Sequence, residues 1–207
     1  MRSDSKLYLA SSNQGKLGEF RALAAAVALS VPNGDVVRFE IELLPDFDSL
    51  PSFEEDAPTF AENAAGKALH YSRLGGALVL ADDSGLVVPA LGGEPGVRSA
   101  RYAGANATNA ERISKLLGEL RGKEGAERAA YFVCALALAE RGRAIAIVTA
   151  RVEGEILESP SGSGGFGYDP VFYFSALRKT FAELLPEEKN RISHRGKAFR
   201  RMLASLS

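Results

Sequence analysis

Hydrophobic residues recur along this chain with two periods, and the change from one to the other marks the elements. Lys6 to Ala10 reads as a short strand, followed by a polar turn from Ser11 to Gly15. Leu17, Phe20, Leu23, Ala24 and Val27 then recur at helical spacing, which predicts a helix with one apolar face. Phe60, Ala64, Ala68 and Tyr71 predict a second helix, with Pro58 near its start and Gly75-Gly76 past its end. The apolar run Ala77 to Ala81 predicts a strand that stops at Asp82-Asp83-Ser84-Gly85, and Leu86-Val87-Val88 resumes extended structure. Thr108 and Glu111 have capping-box spacing ahead of Ile113, Leu116, Leu117 and Leu120, and Gly122 suits the end of that third helix. Two long apolar runs, Ala129 to Ala139 and Ala144 to Val152, flank Glu140-Arg141-Gly142-Arg143 and read as a hairpin at the centre of a sheet. The alanine content keeps a helix open for the first of them. Val171 to Phe174 reads as a short strand, and a last helix starting near Ser193 turns Phe199, Met202, Leu203 and Leu206 inward. Asp46 to Asp56 is acidic and broken by Pro51, which suits a mobile loop. Strands and helices mix without strict alternation, so the expected fold is α/β with α+β character, built on a mixed sheet.

Length and charge narrow the function classes. A chain of 207 residues favours one domain over residues 1–207, or two lobes around a shared sheet, and needs no metal or disulfide to staple its core. Lys plus Arg is 25 against 26 Asp plus Glu, so no general electrostatic pull toward nucleic acid or anionic membrane exists. The single cysteine, Cys134, excludes an intrachain disulfide and a Cys-rich zinc site, and its apolar neighbours mark it as a small core side chain. The longest apolar run is too short to span a bilayer. Met1 to Lys6 carries an acid and does not read as a signal peptide. The expectation is a soluble, cytoplasmic protein.

Four segments carry candidate chemistry. Ser11, Ser12, Asn13, Gln14, Gly15 and Lys16 join a strand to a helix N-terminus, where backbone N–H groups and a lysine suit an anion. The Walker A spacing is absent, and a plain turn with a solvated lysine is the competing reading. Glu54-Glu55-Asp56 precede the second helix, Glu62 lies on it, and Asp82-Asp83 follow an apolar strand, a set of oxygen donors suited to a hard divalent cation. A solvated charge run and a turn former are the bland alternatives, and EF-hand spacing is lacking. Gly162 to Gly167 formally fits G-x-G-x-x-G, but Asp169-Pro170 and the strand after it forbid the helix a dinucleotide turn must open. What survives is a flexible loop with Phe166 and Tyr168 available to stack on a base. Lys189 to Arg195 gathers donors and cations suited to purine carbonyl and phosphate oxygens, against the alternative of a solvated basic face. His70 reads as a helix-surface or half-buried residue.

Six stretches in order resemble the inosine triphosphate pyrophosphatase family: residues 10–16 (ASSNQGK), 59–64 (TFAENA), 81–86 (ADDSGL), 95–104 (PGVRSARYAG), 164–172 (GGFGYDPVF) and 188–196 (EKNRISHRG). The resemblance implies a hydrolase that converts ITP, dITP and XTP to the monophosphate and pyrophosphate with Mg²⁺. It implies an elongated mixed sheet flanked by helices, two lobes with a substrate cleft between them, and a homodimer. Carried over by position, Ser11 to Lys16 would bind the triphosphate, Asp83 would be catalytic carboxylate and metal ligand, and Ser84 would contact substrate. Glu54 would be the second metal ligand, with Glu55 as the alternative. Phe166, Gly167, Tyr168 and Asp169 would hold the base, Phe166 stacking on it, and Lys189, His194 and Arg195 would complete its pocket. Two departures from the family pattern stand out: Ser12 where glycine is common, and Ala65-Gly66 where a larger apolar residue usually precedes Lys67, which would loosen helix packing. Asp82 and Asp83 are strand neighbours facing opposite ways, so one role cannot serve both. The competing functions are a pyrophosphatase for modified pyrimidines or ordinary triphosphates, and a nucleotide-binding sensor without turnover.

Overall fold

A computed structural model describes residues 2–27, 29–30 and 36–206. Among the described residues eight strands, β1 (Arg2–Leu9), β2 (Leu29–Ser30), β3 (Val36–Leu43), β4 (Leu78–Val87), β5 (Ala129–Glu140), β6 (Arg143–Ile156), β7 (Phe172–Phe174) and β8 (Lys179–Thr180), are interspersed with helices. The helices are α1 (Gln14–Ala25), α2 (Phe60–Gly75), α3 (Asn109–Glu119), α4 (Pro186–Ile192) and α5 (His194–Ser205). Pairing is mixed: β1 runs parallel to β3 and β4, while β2–β3, β6–β7 and β7–β8 are antiparallel. The expected mixed-sheet α/β fold is what forms.

Contacts divide the chain into two compact units, each discontinuous in sequence. The first comprises Met1–Asp83, Cys134–Ala150 and Arg195–Ser207, and the second Ser84–Val133 and Arg151–His194. In the first unit, strand alternation sorts the core into two clusters. Leu80, Leu136 and Leu138 join Leu17 and Phe20 of α1 and Phe199 and Met202 of α5. Val79, Ala81, Ala135, Ala137 and Ala139 meet Ala64, Ala68 and Tyr71 of α2. Small residues on both sides let α2 lie close against its face of the sheet. In the second unit Leu86, Ile113, Leu116, Phe132, Phe172 and Phe181 form one cluster.

Local chemistry explains the boundaries. Asn13 caps α1 by accepting the Lys16 N–H at 3.1 Å, and Thr59 caps α2 through the Glu62 N–H at 3.2 Å. The Thr108–Glu111 box on α3 closes in both directions. The alanine-rich run is a strand, not a helix: Arg141 and Gly142 take φ of 49° and 73°, the left-handed pair that a two-residue hairpin turn requires. Cys134 is buried in that strand.

Two expectations need correction. The β4 strand does not stop at Asp82 but runs on through Asp83, Ser84 and Gly85 to Val87, so both acids lie within a strand. The stretch before α2 is not a loose loop but is fastened to that helix, and the space above Gly66 is taken by the Phe53 ring rather than left open. Strand β3 and helix α4 were not anticipated from the sequence. Among the described residues, no helix is long and apolar enough to cross a membrane.

Candidate active site

The alternation that sorts the first unit's core also separates its two central acids. Asp82 follows the parity of Leu80, toward α1 and α5, and is fully buried. Its carboxylate accepts Arg195 Nε at 2.8 Å and Lys16 Nζ at 3.4 Å, while Arg195 Nη1 donates to Glu19 at 3.0 Å. Burial alone would lower the Arg195 pKa, but the Asp82 and Glu19 carboxylates outweigh it and hold the guanidinium above its usual range. The Arg195 guanidinium, expected at the base, is thus engaged by two carboxylates of the first unit.

Asp83 follows the parity of Ala81, toward α2, where Asn63 Nδ2 donates to its Oδ2 at 3.0 Å. Burial pushes its carboxyl up to about 6, and the negative charge of Glu55 adds to the effect. The Asn63 amide and the Lys16 and Lys67 ammonium groups pull the other way without cancelling the shift. Lys67 pairs with Glu55 and donates to the Asp82 carbonyl at 2.9 Å, the same oxygen that Lys16 reaches at 3.4 Å. Two lysines, one raised carboxyl and a second carboxylate therefore converge where α1, α2 and β4 meet. Glu54 is exposed; of the two acids it is Glu55 whose charge bears on Asp83. Asn63 and Lys67 escaped the sequence reading, although a signal existed: polar residues four apart beside the apolar positions 64, 68 and 71 of one helix.

Ser11 is half-buried, its hydroxyl accepting the Asn13 N–H at 3.1 Å, whereas Ser12, Asn13 and Gln14 are exposed and Gly15 is half-buried. The turn thus brings small and polar residues to the N-terminus of α1, with Lys16 behind them.

The second unit holds the other expected residues. Asp169 Oδ2 accepts the Phe166 N–H at 2.8 Å and Lys189 Nζ at 2.5 Å, and all but 2% of Asp169 is buried. Lys189 also lies over the Phe166 ring, 4.9 Å from its centroid, so one lysine fixes both the loop and its aromatic. A side chain at Gly165 would collide with the Asp169 carboxylate, which explains a glycine there. Tyr168, expected as a stacking surface, is instead a core residue whose hydroxyl donates to the Ser99 carbonyl at 3.0 Å. Burial raises its pKa. His194 is buried and stacks on Phe132 at 4.7 Å with an interplanar angle of 11°. Ser84, Phe166 and Gly167 are half-buried.

The description "Ham1 family" belongs to a family model that matches residues 7–205. The chain belongs to that family. Among relatives of this Ham1 chain, a dITP/XTP pyrophosphatase of Geobacillus kaustophilus is 50% identical over 197 residues, covering 95% of this chain and 92% of the relative. A dITP/XTP pyrophosphatase of Gloeobacter violaceus is 50% identical over 201 residues, covering 97% and 94%. The solved structure of a HAM1 protein from Coxiella burnetii is 43% identical, covers 98% of each chain and superposes with a TM-score of 0.81.

Proposed function

We propose that this Ham1 chain is a nucleoside triphosphate pyrophosphatase that hydrolyses dITP, XTP and ITP to the monophosphate and pyrophosphate. The observation that carries the reading is Asp83, a buried carboxylate with its pKa raised to about 6, aimed by Asn63 and faced by two lysines. A general base works best when its pKa lies near the operating pH. The names of the relatives supply the substrate class.

The donor set fits Mg²⁺. Among the described residues no group of three or more His, Cys, Asp or Glu gathers, so the chain offers the two carboxylates Asp83 and Glu55. Mg²⁺ is commonly held by one or two carboxylates, with water and substrate phosphates completing its shell. Held by Asp83 and Glu55, the ion would supply charge neutralisation for the phosphates and make water more acidic. Asp83 takes a proton from the attacking water as the water oxygen bonds to the α-phosphorus. The bond from that phosphorus to the bridging oxygen breaks, and Lys16 and Lys67 stabilise the charge of the departing pyrophosphate. The turn from Ser11 to Gly15, with the Gln14 and Gly15 N–H groups at the start of α1, holds the triphosphate, with Ser84 as a further contact.

At the base, Phe166 stacks, and Gly167, Tyr168 and Asp169 keep its loop in place. Hypoxanthine and xanthine carry a 6-oxo acceptor where adenine has a donor, and Lys189, steered by Asp169, is the cation assigned to it. His194 backs this region through Phe132, and Arg195 is assigned to Asp82 as its buried counter-ion rather than to the base. Lys189→Met should lower the ITP-over-ATP ratio of kcat/KM about tenfold or more; an unchanged ratio would remove Lys189 from base recognition. Working as a cytoplasmic homodimer is part of the same proposal.

The test is a product assay with Mg²⁺ and with EDTA on ITP, XTP, dTTP, GTP and ATP, products being resolved by ion exchange. IMP and XMP with pyrophosphate, lost in EDTA, are expected. Free phosphate with a diphosphate would place attack at the γ-phosphorus and refute the mechanism. Binding of ITP without turnover would make the chain a sensor.

A further inference from the structure

Between Phe53 and Ala57 the exposure of successive residues alternates: Phe53, Glu55 and Ala57 are partly covered, whereas Glu54 and Asp56 face solvent. That is the period of extended backbone, with one side laid against a surface. The surface is a stripe of α2. Asn63, Gly66, Lys67, His70 and Tyr71 recur at three- and four-residue intervals on one helix face, and each meets a different point of the segment. His70 Nε2 donates to the Pro51 carbonyl at 2.7 Å, and the Phe53 N–H donates to the Tyr71 hydroxyl at 3.3 Å. Lys67 pairs with Glu55. Asn63 accepts the Ala57 N–H at 2.9 Å and returns a bond to the Ala57 carbonyl at 3.3 Å, with the same Nδ2 that reaches Asp83.

Gly66 contributes by having no side chain. A Cβ there would lie 3.0 Å from Phe53 Cε2 and closer still to Cζ, well inside contact distance. The ring fills that space and also lies 5.8 Å from the His70 ring. Phe53 is two residues from Glu55, one repeat of the alternation, so displacing the ring turns or lifts the backbone that carries the carboxylate.

We propose that Phe53 seated on Gly66 is a latch that fixes the 51–57 segment to α2 and so positions Glu55 to serve as a metal ligand with Asp83. Phe53 and Gly66 are positioning residues: neither touches the reacting atoms. The inference rests on the assignment of Glu55 made above. Alanine is the better helix former at position 66, so Gly66→Ala should fold while forcing the ring out.

Gly66→Ala, Phe53→Ala and the double variant would be compared in two ways. The first is amide exchange at Phe53 and Ala57 in protein free of metal and nucleotide. The second is the Mg²⁺ concentration that gives half-maximal ITP turnover, read separately from kcat at saturating Mg²⁺. Each single variant should speed exchange at both amides and raise the half-saturating Mg²⁺ about tenfold, with kcat at saturation within about twofold. The double variant should match the singles rather than multiply them, because both remove one contact. Unchanged exchange, an unmoved Mg²⁺ requirement, or shifts that multiply would each overturn the latch. If the parent protein itself shows no Mg²⁺-dependent turnover, the metal assignment falls and the latch with it. A Mg²⁺-dependent parent with unmoved variants refutes the latch alone.

Discussion

Asp83→Asn should reduce ITP turnover by a factor on the order of 10³ or more while making the metal-free protein more stable at neutral pH. The first effect follows from removing the proposed base and one of the two carboxylates proposed to hold the metal. The second follows from the environment. Burial and the charge of Glu55 raise the Asp83 carboxyl from 3.8 to about 6 in the folded chain. Below about pH 3 the group is protonated whether the chain is folded or not, and the folded state bears no penalty. As the pH climbs through 6, the unfolded chain ionises first, so folding loses up to about 3 kcal/mol of stability. Asparagine has nearly the same shape, accepts the Asn63 bond through its carbonyl and carries no charge. Thermal melts in EDTA should therefore show the variant several degrees above the parent at pH 7.5 and the gap closing as the pH falls toward about 3. A variant less stable than the parent at pH 7.5, or one retaining a tenth of its turnover, would contradict the account of Asp83.

The opposite sign is expected at the neighbouring acid. Arg195→Met should destabilise the chain by about 3–5 kcal/mol, because it removes the guanidinium that the buried Asp82 and the half-buried Glu19 share. Asp82 has no solvent exposure, and the Lys16 ammonium lies 3.4 Å from its carboxylate. Adding Asp82→Asn to Arg195→Met should recover roughly half the loss or more, since the buried charge is gone even though the Arg195 bond is not restored. Urea unfolding of the two variants measures both terms. A loss below about 1 kcal/mol for Arg195→Met would mean that the network contributes little. Two acids adjacent in sequence thus have contrary thermodynamic roles at neutral pH, one paired and stabilising, the other costly to ionise.

The sequence reading reached the helices whose ends are chemically marked, because Asn13, Thr59 and the Thr108–Glu111 box act over three residues. It reached the hairpin through Arg141-Gly142. It missed β3, although Val37, Phe39, Ile41 and Leu43 alternate with charged neighbours and the turn formers Pro32-Asn33-Gly34-Asp35 precede them in the sequence. It ended β4 too early because Asp-Asp-Ser-Gly has turn chemistry, which burial of Asp82 and Asp83 within the strand overrides. In the candidate site, the residue types were legible and their partners were not. Asn63–Asp83 spans 20 positions, Lys16–Asp82 spans 66 and Arg195–Asp82 spans 113, distances over which periodicity carries no information. The reading of Tyr168 as a stacking ring failed for the same reason: only the fold shows its hydroxyl at Ser99.

That last separation also governs how the protein is made. Arg195 leaves the ribosome 113 residues after Asp82, roughly 6 to 23 seconds later at ordinary elongation rates. Throughout that interval the nascent first unit has the strand that carries Asp82 but neither the guanidinium that neutralises it nor the helix that brings Phe199 and Met202. The second unit's two segments are both translated in the meantime. The first unit to begin synthesis is therefore the last to close, and its acidic centre is completed only when α5 arrives.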